Sequence, residues 1–226
     1  LVGRRQQETR AVRAGDQRGR HTPVARELIA LPGGGVLIDT PGLRALGLTV
    51  WSVEIRTPDE IAGFIETAGH AVGRDRQAAA VAERLRERLA SLAARYASAR
   101  PLEYFYQVDV QPLYTINGQH LISRGLALCG GVNIFAEQPG LAFQAARESV
   151  IVANPAAIFA PLPSGPGGTA DPLAAWRGWP GLAAVRNGAL FLLPADAISR
   201  ATPRFLDALE TACAHLDQAR GASSAG

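Results

Sequence analysis

The sequence predicts an α/β fold in which a mainly parallel sheet is covered by helices on both faces. Beyond Pro101, short apolar runs with strand character alternate with segments of helical period, and this alternation is typical of parallel sheets. A long amphipathic segment, 76–97, precedes them. The chain of 226 residues is 47% hydrophobic and 19% charged, so it can bury a substantial core. It contains no apolar run of about 18 residues that would span a bilayer.

Several kinds of site are excluded by residues that the chain lacks. All 23 basic residues are arginine, so there is no lysine for a phosphate loop, a Schiff base or a general base. The four histidines, at positions 21, 70, 120 and 215, show no metal-ligand spacing, and we interpret them as structural or solvated. No Gly-x-Ser-x-Gly string is present. A net charge of +3 implies no large basic face for nucleic acid. The sequence therefore predicts no catalytic residue, no metal site and no cofactor.

The first part of the chain differs in character from the rest. The sequence begins at Leu1 without a methionine, which indicates a fragment or a processed chain. Residues 1–27 are polar and arginine-rich and are predicted to form a loop. Residues 36–38 form a predicted short buried strand that leads into Asp39. Asp39 and Gly42 have the spacing with which a carboxylate holds a magnesium water shell and a glycine amide meets a phosphate. An aspartate before a proline turn is also ordinary turn chemistry.

The stretch RGRHTPVARELIALPGGGVLIDTPGLRALGL resembles the circularly permuted, ribosome-associated GTPases of bacterial small-subunit maturation. The resemblance implies that Thr22 lies in the first switch, where Pro23 replaces a second threonine, and that Asp39 to Gly42 form the second switch. The lysine motifs that hold phosphate and guanine in that family are absent, and two cysteines are too few for its zinc cluster. Residues 1–48 are therefore predicted to be a GTPase remnant, with a nucleotide-like motif at Thr22, Asp39 and Gly42.

Two helices are predicted before Pro101, after a strand at 49–51. Thr57 is a predicted N-cap and Pro58 a predicted first helical residue, and Gly69 or Gly73 would end this helix. The second helix, 76–97, would be about 33 Å long. Its inward residues recur at steps of three and four: Ala82, Leu85, Leu89, Leu92 and Tyr96. A coiled coil is the alternative, but about two heptads are few for one.

Regular elements are predicted as far as Arg220. The predicted strands are 102–110, 156–160 and 189–193, and the predicted helical segments are 119–129, 147–153, 172–176 and 203–220. Residues 161–172 are predicted to be a flexible loop and 221–226 a frayed tail. Tyr114 falls in a predicted strand-to-helix loop, where ligand-facing residues occur in such sheets.

Three strings in this region, FYQVDVQPLYTINGQHLISRGLALCGGVNIFAE, RESVIVANPAAIFAP and LPADAISRATPRFLDALETACAHL, resemble the cobalamin-binding periplasmic receptors of ABC importers. These receptors belong to a helical-backbone class that also includes haem and iron-chelate receptors. The resemblance runs from about Leu43 to Arg220 and implies two α/β lobes joined by one long helix, with the ligand between them. Residues 49–100 would hold a linker strand, a helix and the backbone helix. Residues 101–220 would form a three-layer α/β/α C-terminal lobe.

The N-terminal lobe of that class would precede Leu48, where the GTPase-like remnant stands instead. The string LRALGL at 43–48 suits both families, so we interpret it as an unnatural or accidental join between two unrelated sequences. The chain is thus predicted to encode half of a ligand cleft and to bind cobalamin weakly or not at all.

The resemblance assigns ligand-binding roles to four residues. Tyr114 would stack on the corrin face, and Asp196 and Arg200 would hydrogen-bond the amide groups at the ligand's edge, for which their side chains are suited. At the place of a ligand-stacking tryptophan, this sequence has Ala142 beside Phe143, and Phe143 is the predicted aromatic contact. The residues alone allow other interpretations: a turn tyrosine at a sheet edge for Tyr114, and a local surface ion pair for Asp196 and Arg200.

The resemblance also implies a docking residue and a disulfide. Glu148 would dock onto arginines of the importer's membrane permease, although a glutamate at a helix start also suits the helix dipole. Cys129 and Cys213, each on the apolar side of a predicted helix, would be bridged as in the family, which points to an oxidising compartment. Unpaired, they would be ordinary small buried residues.

The sequence therefore predicts a binding protein and not an enzyme. It would be a truncated or chimeric receptor that carries cobalamin to an ABC importer in the periplasm, with the permease and a corrinoid as partners and membrane contact only through the permease. The alternatives are a fragment of a ribosome-assembly GTPase and a haem or ferric-siderophore receptor of the same architecture.

Overall fold

The computed structural model describes residues 25–30, 36–38, 50–162 and 171–224. The strands are β1 (Ala25–Ala30), β2 (Val36–Ile38), β3 (Val50–Glu54), β4 (Leu102–Val110), β5 (Leu113–Ile116), β6 (Gly131–Asn133), β7 (Ala142–Gln144), β8 (Ala157–Leu162) and β9 (Leu190–Pro194). The helices are α1 (Pro58–Ala71), α2 (Asp75–Arg95), α3 (Leu121–Ala127), α4 (Arg147–Ala153), α5 (Ala174–Arg177), α6 (Ala183–Arg186), α7 (Ala195–Ile198) and α8 (Arg204–Ser224). None of these helices is both long and apolar enough to cross a membrane.

Strands β1, β2 and β3 form a small antiparallel sheet in the order β2-β1-β3. The predicted loop over residues 1–27 is wrong for its last three residues, because Ala25 to Glu27 belong to β1 and pair with Glu54 to Ser52 of β3. That pairing partner lies 25 or more residues away, so local composition gave no sign of it. Residues 36–38 form a strand, as predicted. Strand β3 extends to Glu54, three residues beyond its predicted end.

Helices α1 and α2 form an antiparallel pair that begins where the sequence predicts. Thr57 caps α1 through a capping box, in which its hydroxyl accepts from the Glu60 amide and the Glu60 carboxylate accepts from the Thr57 amide. Helix α2 has 21 residues, or about 32 Å, and it buries the predicted stripe: Ala82, Leu85, Leu89 and Leu92, followed by Tyr96 as C-cap. The long backbone helix is therefore confirmed.

The main sheet has the strand order β7-β5-β4-β8-β9, and β6 also pairs with β4. Strands β4, β6, β8 and β9 are parallel to one another, whereas β5 pairs antiparallel with β4 and β7. The predicted mainly parallel sheet is confirmed. The three strands that the sequence did not predict, β5, β6 and β7, have only three or four residues each, which is too short for a period of two to be recognised.

Helices cover both faces of this sheet and complete a three-layer α/β/α arrangement. Tyr104 and Tyr106 of β4 point to one face and join a core with α1, α2, α3 and α8. Phe105 points to the other face and joins a second core with Trp176 of α5 and Val150 of α4. The alternation follows from the two-residue period of a strand, and it confirms the predicted class of fold.

Several predicted ends are wrong in detail. Tyr114 lies in strand β5 rather than in a loop. Helix α3 ends at Ala127, so Cys129 lies in the turn that follows it. Helix α8 continues to Ser224, so the predicted frayed tail is helical over 221–224. Of the predicted loop at 161–172, residues 163–170 lie outside the described residues.

The structure contains a disulfide between Cys129 and Cys213, with 5.6 Å between their Cα atoms and 84 positions between them in the chain. Both cysteines are fully buried. The bridge joins the turn after α3 to the middle of α8, so it fastens together two helices of one core layer. The predicted pairing is therefore present.

Candidate ligand-binding site

The carboxyl ends of the parallel strands define one edge of the main sheet. Pro194 at the end of β9 pairs with Leu162 at the end of β8. Continuing the β4–β8 register by three residues brings Leu162 level with Asp109 of β4, and Asp109 pairs with Tyr114 of β5. These four residues lie on one line across the sheet. Ligands of open α/β sheets bind outside this edge, so it is the candidate site.

Tyr114 and α7 stand at opposite ends of this edge. Tyr114 is half-buried on β5, three strand spacings or about 14 Å from β9. Between them, Val110 and Leu162 expose 38% and 48% of their surface. Val110 pairs with Leu113, the neighbour of Tyr114, so its side chain points to the face opposite Tyr114. Leu162 alternates with Ile158 and Ala160, which also belong to that opposite face. The Tyr114 ring is therefore the aromatic group on one face of the edge, and the exposed aliphatic side chains lie on the other.

Asp196 and Arg200 both lie near this edge, but they do not pair with each other. Asp196 is in the first turn of α7, and its Oδ2 lies 2.8 Å from Nη2 of Arg204. The Arg200 side chain is exposed, and no ion pair or hydrogen bond joins its guanidinium to another described residue. The alternative interpretation of Asp196, a local surface ion pair, therefore applies with Arg204 as its partner rather than Arg200. The N–H donors of the Arg200 guanidinium are available to a ligand.

Phe143 lies on the other face of the sheet from Tyr114. In β7 it pairs with Thr115, and because neighbouring strand residues alternate between faces, Thr115 and Tyr114 point in opposite directions. The Phe143 ring contacts Phe135 edge-to-face at 5.6 Å between centroids, and Phe135 in turn contacts Phe105 of the second core. The structure thus does not bring Phe143 together with Tyr114.

Glu148 occupies the first turn of α4 and is exposed. Helix α4 follows β7, whose last residue, Gln144, pairs with Tyr114, so its N-terminus lies at the rim of the same edge. The neighbouring Arg147 guanidinium lies over the Trp176 ring at 5.7 Å. Thr22, Asp39 and Gly42, the predicted nucleotide-like motif, lie outside the described residues.

A depression next to α7 involves residues that the sequence interpretation passed over. Four segments line it: the turn after β3, the start of α3, Leu141, and the end of α7 with the residues that follow. The lining residues are Glu54, Ile55, Arg56, Gln119, His120, Leu121, Leu141, Ile198, Ser199 and Ala201. His120 was interpreted as structural or solvated, and because it fell inside the predicted helix 119–129, nothing in the sequence marked it as an N-cap.

His120 is the N-cap of α3, and its Nδ1 accepts a hydrogen bond from the Ile122 amide at 3.2 Å. Burial lowers the pKa of its imidazole to about 4, because desolvation disfavours the charged form. Within the part of the chain that the structure describes, no group of three or more His, Cys, Asp or Glu side chains is placed to hold a metal ion. His120 is therefore a neutral hydrogen-bonding group at neutral pH.

This pKa predicts a loss of stability in acid. The unfolded chain takes up the His120 proton near pH 6.5, whereas the folded chain does so only near pH 4. The stability that the neutral His120 gives to the fold is fully present above about pH 6.5. It is lost as the pH falls toward 4, by up to ~1.4 kcal/mol for each pH unit. We expect the urea midpoint of the wild type to fall more steeply between pH 7 and 4.5 than that of His120→Asn, whose amide keeps the cap without titrating. Parallel curves for the two proteins would contradict this.

Comparison with known proteins agrees with this fold. A profile of the periplasmic binding protein family matches residues 38–197, and a profile of the RsgA GTPase family matches residues 1–49. The chain belongs to the periplasmic binding protein family. Proteins of this family bind substrates and are not enzymes, so the chain has a substrate-binding role.

Individual relatives show which members of this family the chain resembles. The vitamin B12-binding protein of Vibrio cholerae is 37% identical over 190 residues, which cover 84% of this chain and 67% of that protein. The crystal structure of the periplasmic vitamin B12-binding protein BtuF of Vibrio cholerae superposes with a TM-score of 0.67 at 37% identity, covering 79% of this chain and 68% of that one. An Fe³⁺-hydroxamate transport protein of Saccharomonospora viridis has a TM-score of 0.64 at 22% identity, covering 80% and 67%, and this likeness shows the fold alone.

Proposed function

We propose that this chain binds a corrinoid of the cobalamin type at the carboxyl edge of its main sheet and presents it to an ABC importer. The observation that carries the proposal is the carboxyl edge of the sheet, where Tyr114 lies on β5 and where α7, with Asp196 in its first turn, begins directly after β9. The 37% identity to a vitamin B12-binding protein favours a corrinoid over haem or an iron chelate.

The chemistry of this edge suits a corrin ring. The Tyr114 ring offers a flat apolar surface to the macrocycle. Arg200 donates to amide carbonyl groups at the ring's edge. Asp196 keeps Oδ2 on Arg204, and we assign its other oxygen to an amide N–H. Phe143 has no part in this proposal because it packs on the opposite face.

Replacing Tyr114 by alanine should weaken binding of cyanocobalamin about tenfold, because an aromatic stacking contact contributes ~1–1.5 kcal/mol. Equilibrium dialysis read by corrin absorbance measures this directly. We expect the wild-type dissociation constant to lie above about 1 μM, because the described residues supply one wall of a cleft. Haemin and a ferric hydroxamate, titrated in parallel, should bind more weakly still.

Two variants control this experiment. Tyr114→Phe keeps the ring and should bind nearly as the wild type does. Trp179→Ala removes an aromatic that is 42% exposed and belongs to none of the strands that form the carboxyl edge, and it should leave the affinity unchanged. Equal losses in Tyr114→Ala and Trp179→Ala, or preferential binding of haemin, would argue against a corrinoid site.

We further propose that Glu148 contacts the importer's permease and that the protein works in the periplasm. Glu148 is exposed at the rim of the binding edge, so a permease arginine reaches it without entering the ligand site. The buried Cys129–Cys213 bridge is in keeping with an oxidising compartment. For residues 1–48 we propose a GTPase-derived segment joined to the receptor near 43–48, in support of which the two family matches overlap at 38–49.

A further inference from the structure

We propose that the depression beside α7 is a subsite for one small, neutral carbonyl-bearing group of the ligand, of the size of a carboxamide, which accepts a hydrogen bond from Nε2 of His120. This inference rests on the proposed corrinoid function, because short carboxamide side chains surround a corrin ring. It assigns a specificity-determining role to a histidine that the edge described above does not include.

The hydrogen bond to the backbone fixes the state of the imidazole. Because Nδ1 of His120 accepts from the Ile122 amide, the proton of the neutral ring is on Nε2. No hydrogen bond joins that Nε2 to another residue of the described chain, and His120 lines the depression. The proposed donor is the imidazole side chain and not a backbone amide of the short helix α3.

The segment that carries His120 is held rigidly. The Asn117 side chain, 6% exposed, donates to the Gln138 carbonyl at 2.9 Å and accepts from the Gln119 amide at 3.0 Å. Gly118 lies so close to the neighbouring backbone that a Cβ there would be 2.9 Å from the Ala136 carbonyl oxygen. The imidazole is thus positioned before a ligand arrives, which reduces the entropic cost of binding.

Size and charge restrict what fits. The free volume is about 30 Å³, room for about two water-sized groups. The floor is apolar, with Ile55, Ile198 and Ala201 buried. Glu54 and Arg56 neutralise each other through an ion pair of 2.7 Å. A charged group would lose its hydration here without a free counter-charge, so the site favours a neutral one.

The depression and the proposed ligand edge share the segment 198–201 of the chain. Ile198 and Ser199 line the depression, and Arg200 follows them directly in the chain. Ala201, the next residue, lines the depression again. A ligand that accepts a hydrogen bond from Arg200 therefore has its neighbouring substituents at the mouth of the depression.

The experiment compares cyanocobalamin affinities of matched variants. His120→Asn keeps an acceptor for the Ile122 amide, since asparagine is a good N-cap, but it lacks the Nε2 donor. We expect it to bind about 3–10-fold more weakly, the effect of one neutral hydrogen bond. Ser199→Phe, at an exposed position on the mouth, should weaken binding as much by obstruction. His215→Asn, a histidine stacked on Phe191, should bind as the wild type does.

A second measurement tests the subsite without cobalamin. In ¹⁵N spectra of the histidine rings, propionamide should shift the Nε2 signal of His120, whereas those of His70 and His215 should stay in place. Propionate should shift it far less. Equal shifts by the two probes, or no shift by propionamide, would overturn the subsite, as would unchanged cobalamin affinity in His120→Asn when Tyr114→Ala weakens binding. A propionamide shift in a wild type that does not bind cobalamin would support the subsite and reject the corrinoid function.

Discussion

Replacing Cys129 and Cys213 together by alanine is expected to lower the free energy of unfolding by about 4–5 kcal/mol. The bridge closes a loop of 84 positions, and in the chain-entropy model a loop of that length restricts the unfolded chain by about this amount. Equilibrium urea unfolding at pH 7 measures the change. A domain of this size has a net stability of ~5–15 kcal/mol, so the variant should be only marginally folded.

Reduction provides the control for this prediction. Adding a phosphine reductant to the denaturant series should destabilise the wild type by a similar amount and leave the double-alanine variant unaffected, because the variant has no bridge to lose. If both proteins responded to the reductant alike, or if the variant unfolded at the wild-type midpoint, the bridge would not stabilise the fold as expected.

Replacing Arg220 by methionine is expected to cost about 3 kcal/mol. The guanidinium is 9% exposed and donates to the Arg100 carbonyl at 2.7 Å, to Asp217 at 2.7 Å and to the Cys129 carbonyl. Methionine retains the apolar stem but leaves two carbonyl oxygens without this donor. The free energy of unfolding, measured in urea with the disulfide intact, should fall accordingly.

Two further substitutions separate the effect of the planar Arg220 guanidinium from the effect of its positive charge. Arg220→Lys keeps the positive charge but cannot reach several acceptors in one plane, so it should lose most of the same stability. Arg84→Met, on the exposed face of α2, should change the stability by less than about 0.5 kcal/mol. An Arg220→Met variant as stable as Arg84→Met would contradict the proposed role of the buried fork.

The backbone helix is held mainly by its apolar stripe. Arg86 of α2 makes a bidentate contact with Glu66 of α1, and Arg88 contacts Asp207 and Glu210 of α8. These side chains are 36–61% exposed, so each pair contributes at most ~1 kcal/mol. A single buried leucine of the stripe contributes ~2–5 kcal/mol against alanine. The ion pairs therefore set the orientation of α2 against its two neighbours more than they stabilise it.

The elements that the sequence predicted well carry their information locally. The start of α1 depends on Thr57, Pro58 and Glu60, which lie within four consecutive positions. Helix α2 repeats one apolar stripe from Ala78 to Leu92. Strand β4 was predicted with its observed ends, Leu102 and Val110, because it is long and flanked by a proline on each side. For such elements, the neighbours in the chain supply the physical reason.

The candidate site was predictable only in part. The resemblance pointed to Tyr114, Asp196 and Arg200. The register of the sheet places Tyr114 at the same edge as Pro194, directly before the helix that holds Asp196, and the roles of the three residues stay predictions. The resemblance also pointed to Phe143, but the alternation of side chains along β7 places Phe143 on the face of the sheet opposite Tyr114. The Asp196–Arg204 pair and the His120 depression depend on how α7, α8 and the turn after β3 meet, and no spacing in the chain encodes that meeting.

Composition and hydrophobic period were thus sufficient to predict an α/β sheet covered by helices and a long amphipathic helix, because helix caps and apolar repeats act over a few residues. The pairing of β1 with β3, the three short strands and the meeting of four segments around His120 required the folded chain. Their energies come from contacts between residues tens of positions apart, and such contacts have no local pattern in the sequence.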